Sequence, residues 1–184
     1  SKVASAAADK INALGKGKAI ADGHDVSKFE NAQRMVDTAL ENWGRIDIVI
    51  NNAGIASTGV FPDIDREEID LHLGVHVMGA VNTMRAAWPH MKKQNYGRII
   101  NTSSDSVLGF SPQTTYPSMK AALIGLSRNA GLLGVDHNIN VNVIMPAAFT
   151  RLSALLPQGG FRDHLEQDFQ QASNHLVNLA MLRM

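Results

Sequence analysis

The sequence predicts an α/β protein with a doubly wound parallel sheet, that is, three layers with helices on both faces of the sheet. Helical and strand-like patterns alternate at the spacing of strand–helix–strand units. In such units the crossover connection between the two parallel strands is right-handed. The strand-like segments are near-continuous apolar runs, as in parallel strands buried on both faces. The 184 residues fit one domain, so residues 1–184 are expected to form a single unit.

The first two helices follow from periodicity and end signals. "VASAAADKINAL" repeats apolar residues on one helical face and closes at Gly15. That face consists of Val3, Ala7, Ile11 and Leu14. "GKAIADGHDV" predicts a short strand that ends in a loop. A second helix is predicted to start at Ser27, which has the capping-box spacing with Glu30, and to stop at Gly44.

The remaining elements continue the alternation. Strands are predicted in "RIDIVINNAG", "GRIINTSS" and "INVNVIMP". The long helix "REEIDLHLGVHVMGAVNTMRAAWPHMKKQ" contains Gly74 and Gly79, which cost helix stability and so indicate close approach of another segment. "YPSMKAALIGLSRNAGLLGV" predicts the next helix. The tail "FRDHLEQDFQQASNHLVNLAMLRM" predicts an amphipathic helix, so residues 151–184 are expected to form a helical segment on the substrate side.

Composition excludes several classes of protein. The 17 basic and 17 acidic residues balance, so nothing predicts binding to nucleic acid or to an anionic membrane surface. No apolar run approaches the ~18 residues of a membrane-spanning helix. The start, "SKVASAAADK", lacks the apolar core of a signal peptide, so a cytoplasmic location is expected. The absence of cysteine rules out disulfides, thiolate nucleophiles and Cys-ligated zinc.

Small and polar residues follow three of the predicted strands, at the sheet edge where open α/β sheets bind ligands. They are "NNAG" at 51–54, "TSS" at 102–104 and "MPAAFT" at 145–150. The amides and the glycine of "NNAG" suit close approach to a ligand, although by itself it also fits a plain strand-ending turn.

Tyr116 and Lys120 lie four residues apart and therefore on one face of a helix. A free tyrosine has a pKa near ~10 and is a poor proton shuttle at neutral pH. An ammonium group nearby would lower that pKa and make the phenol a usable general acid or base. A hydroxyl of Ser103 or Ser104, at the end of the neighbouring strand, would then hold a substrate carbonyl or hydroxyl beside it.

Four segments in this order, "NNAG", "GRIINTSS", "YPSMK" and "NVNVIMPAAFT", resemble the short-chain dehydrogenase/reductase family over nearly the whole chain from Asp25. Within it, "TMRAAWPHMKKQNYGRIINTSS" is similar to the hydroxyacyl-CoA dehydrogenase part of multifunctional β-oxidation enzymes and to bacterial relatives. The resemblance implies a Rossmann-like domain that uses NAD or NADP to interconvert a secondary alcohol and a ketone.

The resemblance also implies roles for single residues. Tyr116 would exchange the proton of the substrate, and Lys120 would also bind the nicotinamide ribose. Counting from the strand puts Ser104 in the substrate-binding position, whereas counting back from Tyr116 gives Ser103. We choose Ser104, because strand geometry fixes a side chain while a loop absorbs deletions. The other implied cofactor-binding residues are Asp25 and Val26 beside the adenine, Asn52, Ala53 and Gly54 along the cofactor, and Pro146 and Thr150 near the carboxamide.

The pattern departs from the family in the long helix. His76 stands where the family usually has an asparagine that takes part in a proton relay. An imidazole would preserve a relay, but His76 would equally serve as a packing or capping residue. His72 and His76 have the spacing of a zinc-binding pair, yet Leu73 replaces the glutamate that a zinc protease needs, so no metal is expected. Pro146-Ala147 replaces the usual Pro-Gly.

The glycine-rich fingerprint that seats the pyrophosphate is missing, because "GKGKAI" has Ile20 where a third glycine belongs and precedes a strand. Two strands of the family's sheet are therefore expected to be absent beside "RIDIVI", which would leave apolar edges exposed. The family's last strand is not recognisable either. Since the first residue is Ser1, we expect part of a longer protein; strands from another chain, or a non-catalytic relative, are the alternatives.

The predicted function is an NAD(P)-dependent oxidoreductase with Tyr116, Lys120, Ser104 and His76 at its site, acting on a small alcohol or ketone of lipophilic or acyl character. The alternative is a non-catalytic scaffold that keeps the fold but cannot hold a cofactor. The small and apolar residues of the two long helices predict a homodimer or homotetramer.

Overall fold

The computed structural model describes residues 2–56, 59–109 and 113–146 and a strand at 180–182. Within these ranges the helices are α1 (Lys2–Ala13), α2 (Phe29–Trp43), α3 (Arg66–His72), α4 (Gly79–Lys93) and α5 (Thr115–Gly134). The strands are β1 (Ile48–Asn51), β2 (Gly97–Thr102), β3 (Ile139–Met145) and β4 (Ala180–Leu182). A π-helical turn (Leu73–Met78) joins α3 to α4, and 3-10 turns span Asp105–Leu108 and Val135–His137.

The four strands lie in the order β1-β2-β3-β4. The first three are parallel, with Ile50 opposite Ile100 and Ile99 opposite Val141, and α4 and α5 form the crossovers between them. This is the predicted arrangement. β4 pairs antiparallel with β3, so the prediction of a helix throughout the tail is wrong at 180–182. The backbone of this segment pairs with the edge of β3, and the hydrophobic periodicity of the sequence does not reveal that pairing.

The core lies between the sheet and helices α2, α4 and α5. It is a cluster of small and medium apolar side chains: Val36, Met84, Ala86, Ala87, Met91, Ile99, Ala130, Ile139 and Val141. The opposite face of β1 is open, because Ile48 and Ile50 are 58% and 60% exposed. The prediction that β1 is buried on both faces is therefore wrong for the described residues.

The N-terminal part differs from prediction in three details. The predicted apolar face of α1 is exposed, and Ala8 is the buried residue of this helix. Residues 18–25 form no strand, because no described strand lies beside them to pair with. Helix α2 begins after Lys28 without a side-chain cap, since Ser27 instead donates to the Asp25 carboxylate (2.8 Å). The stop at Gly44 is confirmed, with φ of 72°.

The long predicted helix is interrupted by the π-helical turn Leu73–Met78. The expected close approach at Gly79 is observed, because a Cβ there would lie 2.8 Å from Val26 Cγ2. Asn82, one turn later, donates to the Val26 carbonyl (3.0 Å). The segment that contains Val26 is thereby held against the start of α4, next to the carboxyl end of β1.

Candidate active site

A small cleft lies at the carboxyl end of β1. It is lined by residues that sequence analysis had assigned to one site, among them Val26, Ala53, His76 and Lys120. These residues come from four separate segments of the chain. The location agrees with the rule that open parallel sheets place ligands at the carboxyl ends of their strands.

Lys120 is buried in this cleft, with its side chain 4% exposed. Its Nζ donates to the Thr102 carbonyl (2.7 Å), at the end of β2, and lies 5.6 Å from the centre of the Tyr116 ring. Burial disfavours the charged ammonium and lowers the pKa of Lys120 to about 8. The residue thus carries a positive charge at neutral pH in a site that shields it from water.

Tyr116 is half-buried one turn before Lys120, as predicted. Burial raises its pKa, a hydrogen bond with Ser104 lowers it, and the Asp105 carboxylate raises it. The expectation of a lowered pKa for Tyr116 is therefore wrong. The reason is that desolvation of the phenolate is the largest effect and that the lysine ammonium is turned toward Thr102.

The two serines occupy different environments. Ser103 is 1% exposed, and its hydroxyl donates to the Lys120 carbonyl (2.8 Å), so it ties β2 to α5. Ser104 caps the following 3-10 turn, accepts hydrogen bonds from Ser106 and is the serine that bonds with Tyr116. Of the two, the Ser104 hydroxyl lies beside the phenol.

His76 is 2% exposed in the π-helical turn, and its ring meets the Tyr116 ring edge-on at 5.3 Å between centroids. Its Nε2 lies 2.9 Å from the Ile55 carbonyl, which can only accept, so we assign the proton to Nε2. Nδ1 then carries a lone pair, and it has no hydrogen-bond partner among the described residues. It points toward Gly54, where a Cβ would lie 3.4 Å away.

Burial and the nearby Lys120 charge lower the pKa of His76 to about 4. In the unfolded chain His76 binds a proton near pH 6.5, but in the folded protein it does so only near pH 4. The contribution of neutral His76 to the free energy of unfolding is therefore complete above pH 6.5, and it is lost as the pH falls from 6.5 to 4. This difference corresponds to about 3 kcal/mol. We expect His76→Gln to lose less unfolding free energy than the wild type between pH 7 and about 4.5, by chemical denaturation.

The matched control for that measurement is His90→Gln. His90 lies in the last turn of α4, which precedes the amino end of β2. This variant is expected to keep the full pH dependence of the wild type. An equal pH dependence in His76→Gln and the wild type would show that His76 is not held neutral.

A chain of polar side chains behind the cleft was missed by sequence reasoning. Thr83 donates to Asn51 (2.6 Å), Asn51 to Asn101 (2.8 Å), and Asn101 to Ser127 (2.8 Å). It links α4, β1, β2 and α5 with satisfied hydrogen bonds in the core. The available signal was an asparagine in each of two adjacent apolar strands, at positions that pair in register.

Of the predicted cofactor residues, Val26, Ala53 and Lys120 line the cleft, and the others lie outside its lining or outside the described residues. Asn52, Ala53 and Gly54 are exposed after β1, and Pro146 is half-buried directly after β3. Asp25 is exposed, and two hydrogen bonds from Ser27 lower its pKa. Thr150 lies outside the described residues.

Among the residues that the structure describes, no group of three or more His, Cys, Asp or Glu side chains is arranged to hold a metal ion. No described helix combines the length and apolar character that crossing a membrane requires.

Comparison with protein families gives a direct match. The sequence model of the family described as "short chain dehydrogenase" matches residues 1–155 of this chain. Similar curated proteins include the peroxisomal multifunctional enzyme type 2 of Mus musculus, 42% identical over 159 residues, which are 84% of this chain and 21% of that protein. The peroxisomal hydratase-dehydrogenase-epimerase of Neurospora crassa is 40% identical over 153 residues, 83% of this chain and 17% of that protein. The chain therefore spans only a small part of these relatives.

Solved structures give the same fold. An NAD⁺-bound xylitol dehydrogenase superposes with a TM-score of 0.73 at 28% identity, covering 93% of this chain and 63% of that one. A short-chain dehydrogenase from Streptomyces avermitilis superposes with a TM-score of 0.71 at 29% identity, covering 85% and 57%. These likenesses confirm the predicted fold class and the resemblance noted in the sequence.

Proposed function

The chain belongs to the short-chain dehydrogenase family, and from this premise we propose that it is an NAD(P)-dependent oxidoreductase that interconverts a secondary alcohol and a ketone. The observation that carries the proposal is the grouping of Tyr116, Ser104 and Lys120 at one end of the sheet, beside the cleft. A phenol, a hydroxyl and a buried cation together suit proton exchange with a substrate oxygen.

The residues of the cleft fit a dinucleotide. Gly54 leaves room where a Cβ would lie 3.0 Å from the His76 ring, Val26 is held at the cleft by Asn82, and Lys120 offers a buried cation. Lys120 and Asn52 to Gly54 would hold the nicotinamide half, with Asp25 and Val26 toward the adenine. The cofactor supplies the hydride. The proposal covers NAD and NADP alike.

Each residue of the site has a role in the proposed reaction. The Tyr116 hydroxyl gives its proton to the substrate oxygen in ketone reduction and takes it back in alcohol oxidation. Ser104 donates a hydrogen bond to the same oxygen and so orients the substrate. The Lys120 charge stabilises the phenolate when the proton has left. In alcohol oxidation His76 would accept at Nδ1 the proton that Tyr116 has taken from the substrate, and in ketone reduction the protonated ring would give it back to Tyr116.

We extend the proposal to an acyl substrate, which the resemblance of residues 83–104 to hydroxyacyl-CoA dehydrogenases implies. The test is nicotinamide oxidation and reduction with a 3-hydroxyacyl and a 3-ketoacyl thioester, against a sugar alcohol as the alternative substrate. Turnover of the thioester alone is the expected result. Turnover of the sugar alcohol alone would overturn the acyl assignment and keep the oxidoreductase.

The alternative function is a scaffold without cofactor. It is distinguished by the melting temperature in the presence of NADH or NADPH, since a ligand that binds the folded state stabilises it. A rise with either nucleotide is expected, and no change with both would favour the scaffold. The cytoplasmic location stays a prediction, and the names of similar proteins make a peroxisomal location the competing one.

The homo-oligomer is proposed from an apolar end of α5. Leu132, Leu133 and Val135 are 74%, 72% and 68% exposed, more than scattered surface residues account for. We expect Leu132→Glu to lower the molar mass measured by light scattering, because a buried carboxylate at a contact between subunits is unfavourable. Lys93→Glu on the exposed end of α4 is the charge-changing control. A monomeric wild type would contradict the proposal.

A further inference from the structure

The first turn of α5, which carries Tyr116, receives a hydrogen-bond acceptor from a distant segment. Thr114 precedes the helix, and its side chain makes no capping hydrogen bond. Its backbone N–H donates to the Gly59 carbonyl (3.1 Å). The first turn of α5 contains no acidic side chain, and Pro117 has no N–H to donate. The position of Tyr116, the second residue of α5, therefore depends on how Gly59 is held.

Gly59 lies so close to Glu68 that a Cβ on the glycine would overlap both carboxylate oxygens. The φ angle of Gly59 lies outside the left-handed region, so the backbone conformation does not require a glycine there. The approach of the carboxylate does require it. Any larger residue at position 59 would have to displace the Glu68 side chain.

Glu68 is itself fixed by the start of α3. Asp65 caps this helix, and its side chain accepts a hydrogen bond from the Glu68 N–H (2.7 Å). Glu68 is half-buried, and α3 packs against α5. A carboxylate near the N-terminus of a helix is favourable, because the helix dipole is positive there. Glu68 thus supplies from α3 the negative charge that the first turn of α5 lacks.

We propose that Glu68 is a positioning residue, whose carboxylate holds Gly59 against the N-terminus of α5 and so fixes Tyr116 beside the substrate. The inference rests on the proposed function. The first turn of a helix has unsatisfied N–H groups and shifts easily when an outside partner is lost. Misplacing a reacting group by about 1 Å can slow a reaction as much as 10²-fold, even when the altered residue lies far from the chemistry. Val26 and Ala53 line the cleft from other segments, so nucleotide affinity should not depend on Glu68.

The test combines Glu68→Ala, which removes the carboxylate, with Gly59→Ala, which displaces it and leaves the charge in the protein. The carboxylate is the far end of a flexible side chain, so we expect the alanine to move it without moving the backbone. Single-turnover rates with NADH and the ketone should fall about tenfold in each variant and no further in the double variant. The dissociation constant for NADH should stay within about twofold of the wild type.

Two control variants match these substitutions. Glu67→Ala removes the exposed acidic neighbour of Glu68 from the same turn of α3. Gly17→Ala adds a Cβ where nothing lies within 4 Å. Both controls should keep the wild-type rate. A wild-type rate in Gly59→Ala, or losses that add in the double variant, would overturn the positioning role.

A second double-mutant cycle asks whether the effect passes through the phenol. In a Tyr116→Phe background, Gly59→Ala is expected to leave the residual rate unchanged, because the hydroxyl to be positioned is absent. The same tenfold loss in that background would indicate general damage to the fold and would contradict the proposal. Should Glu68→Ala fail to fold, Gly59→Ala and this cycle give the answer without it.

Failure of the proposed function would give a different pattern. A wild type without NAD(P)H turnover would remove that function and the positioning role with it, whereas equal turnover in all variants would remove the positioning role alone. The contact itself is tested without substrate by the melting temperature. Glu68→Ala and Gly59→Ala should each lower it by about 2 °C, and the double variant should fall no further. Additive falls would show that Glu68 and Gly59 do not interact.

Discussion

Replacing Tyr116 with phenylalanine is expected to lower kcat by about 10³-fold, because the substrate oxygen then has no proton donor at the site. The phenyl ring keeps its edge contact with His76, so the cleft and the cofactor residues stay in place. The dissociation constant for NADH should therefore stay within about twofold of the wild type, which separates loss of chemistry from loss of binding. Stopped-flow turnover and quenching of protein fluorescence measure the two quantities.

The second tyrosine of the chain, Tyr96, provides the matched control. Its ring lies under the Arg98 guanidinium at 4.3 Å, just before β2 and away from the cleft. Tyr96→Phe keeps that ring and is expected to retain wild-type kcat. Retained turnover in Tyr116→Phe, or an equal loss in both variants, would contradict the assignment of the general acid.

The second large effect is expected for Lys120→Met, with kcat lowered by about 10²-fold and weaker NADH binding. Methionine keeps the buried volume but removes the charge that stabilises the phenolate. It also leaves the Thr102 carbonyl without the 2.7 Å hydrogen bond. Lys93→Met, on the exposed end of α4, is the control and should keep both quantities. Wild-type turnover in Lys120→Met would remove the lysine from the mechanism.

The lowered pKa of Lys120 also predicts that the free energy of unfolding changes with pH more strongly in the wild type than in Lys120→Met. Its folded pKa of about 8 lies below the ordinary 10.5, so the stability that this group contributes is complete above 10.5 and is lost as the pH falls through 8. The wild type should gain up to about 3 kcal/mol of unfolding free energy across that window. Between pH 7 and about 9.5, Lys120→Met should gain less than the wild type, measured by urea denaturation. Parallel gains would show that the ammonium is not desolvated.

The sequence predicted which segments form the sheet better than it predicted what covers it. "RIDIVI" and "GRIIN" are apolar enough that strand pairing was the reasonable outcome, and both pair in parallel. Burial of a strand face depends on segments that lie far away in the sequence. The exposure of Ile48 could therefore not be predicted from the residues around it. The capping box at Ser27 failed because a nearby carboxylate at Asp25 competed for the same hydroxyl.

For the candidate site, helical spacing was sufficient to place Tyr116 and Lys120 one turn apart. The direction of a pKa shift was not predictable, because it depends on burial and on where the ammonium points. The choice between the serines depended on strand geometry, and the structure places Ser104 rather than Ser103 beside the phenol. The polar chain through Asn51 and Asn101 required the register of two strands, which the sequence does not state.

The most direct test of the central claim is a crystal structure of the protein with NADH bound. We expect the nicotinamide to lie in the cleft between Ala53 and Lys120, with its reactive face toward the hydroxyl of Tyr116. An NADH molecule bound elsewhere, or a Tyr116 hydroxyl turned away from the ring, would contradict the account.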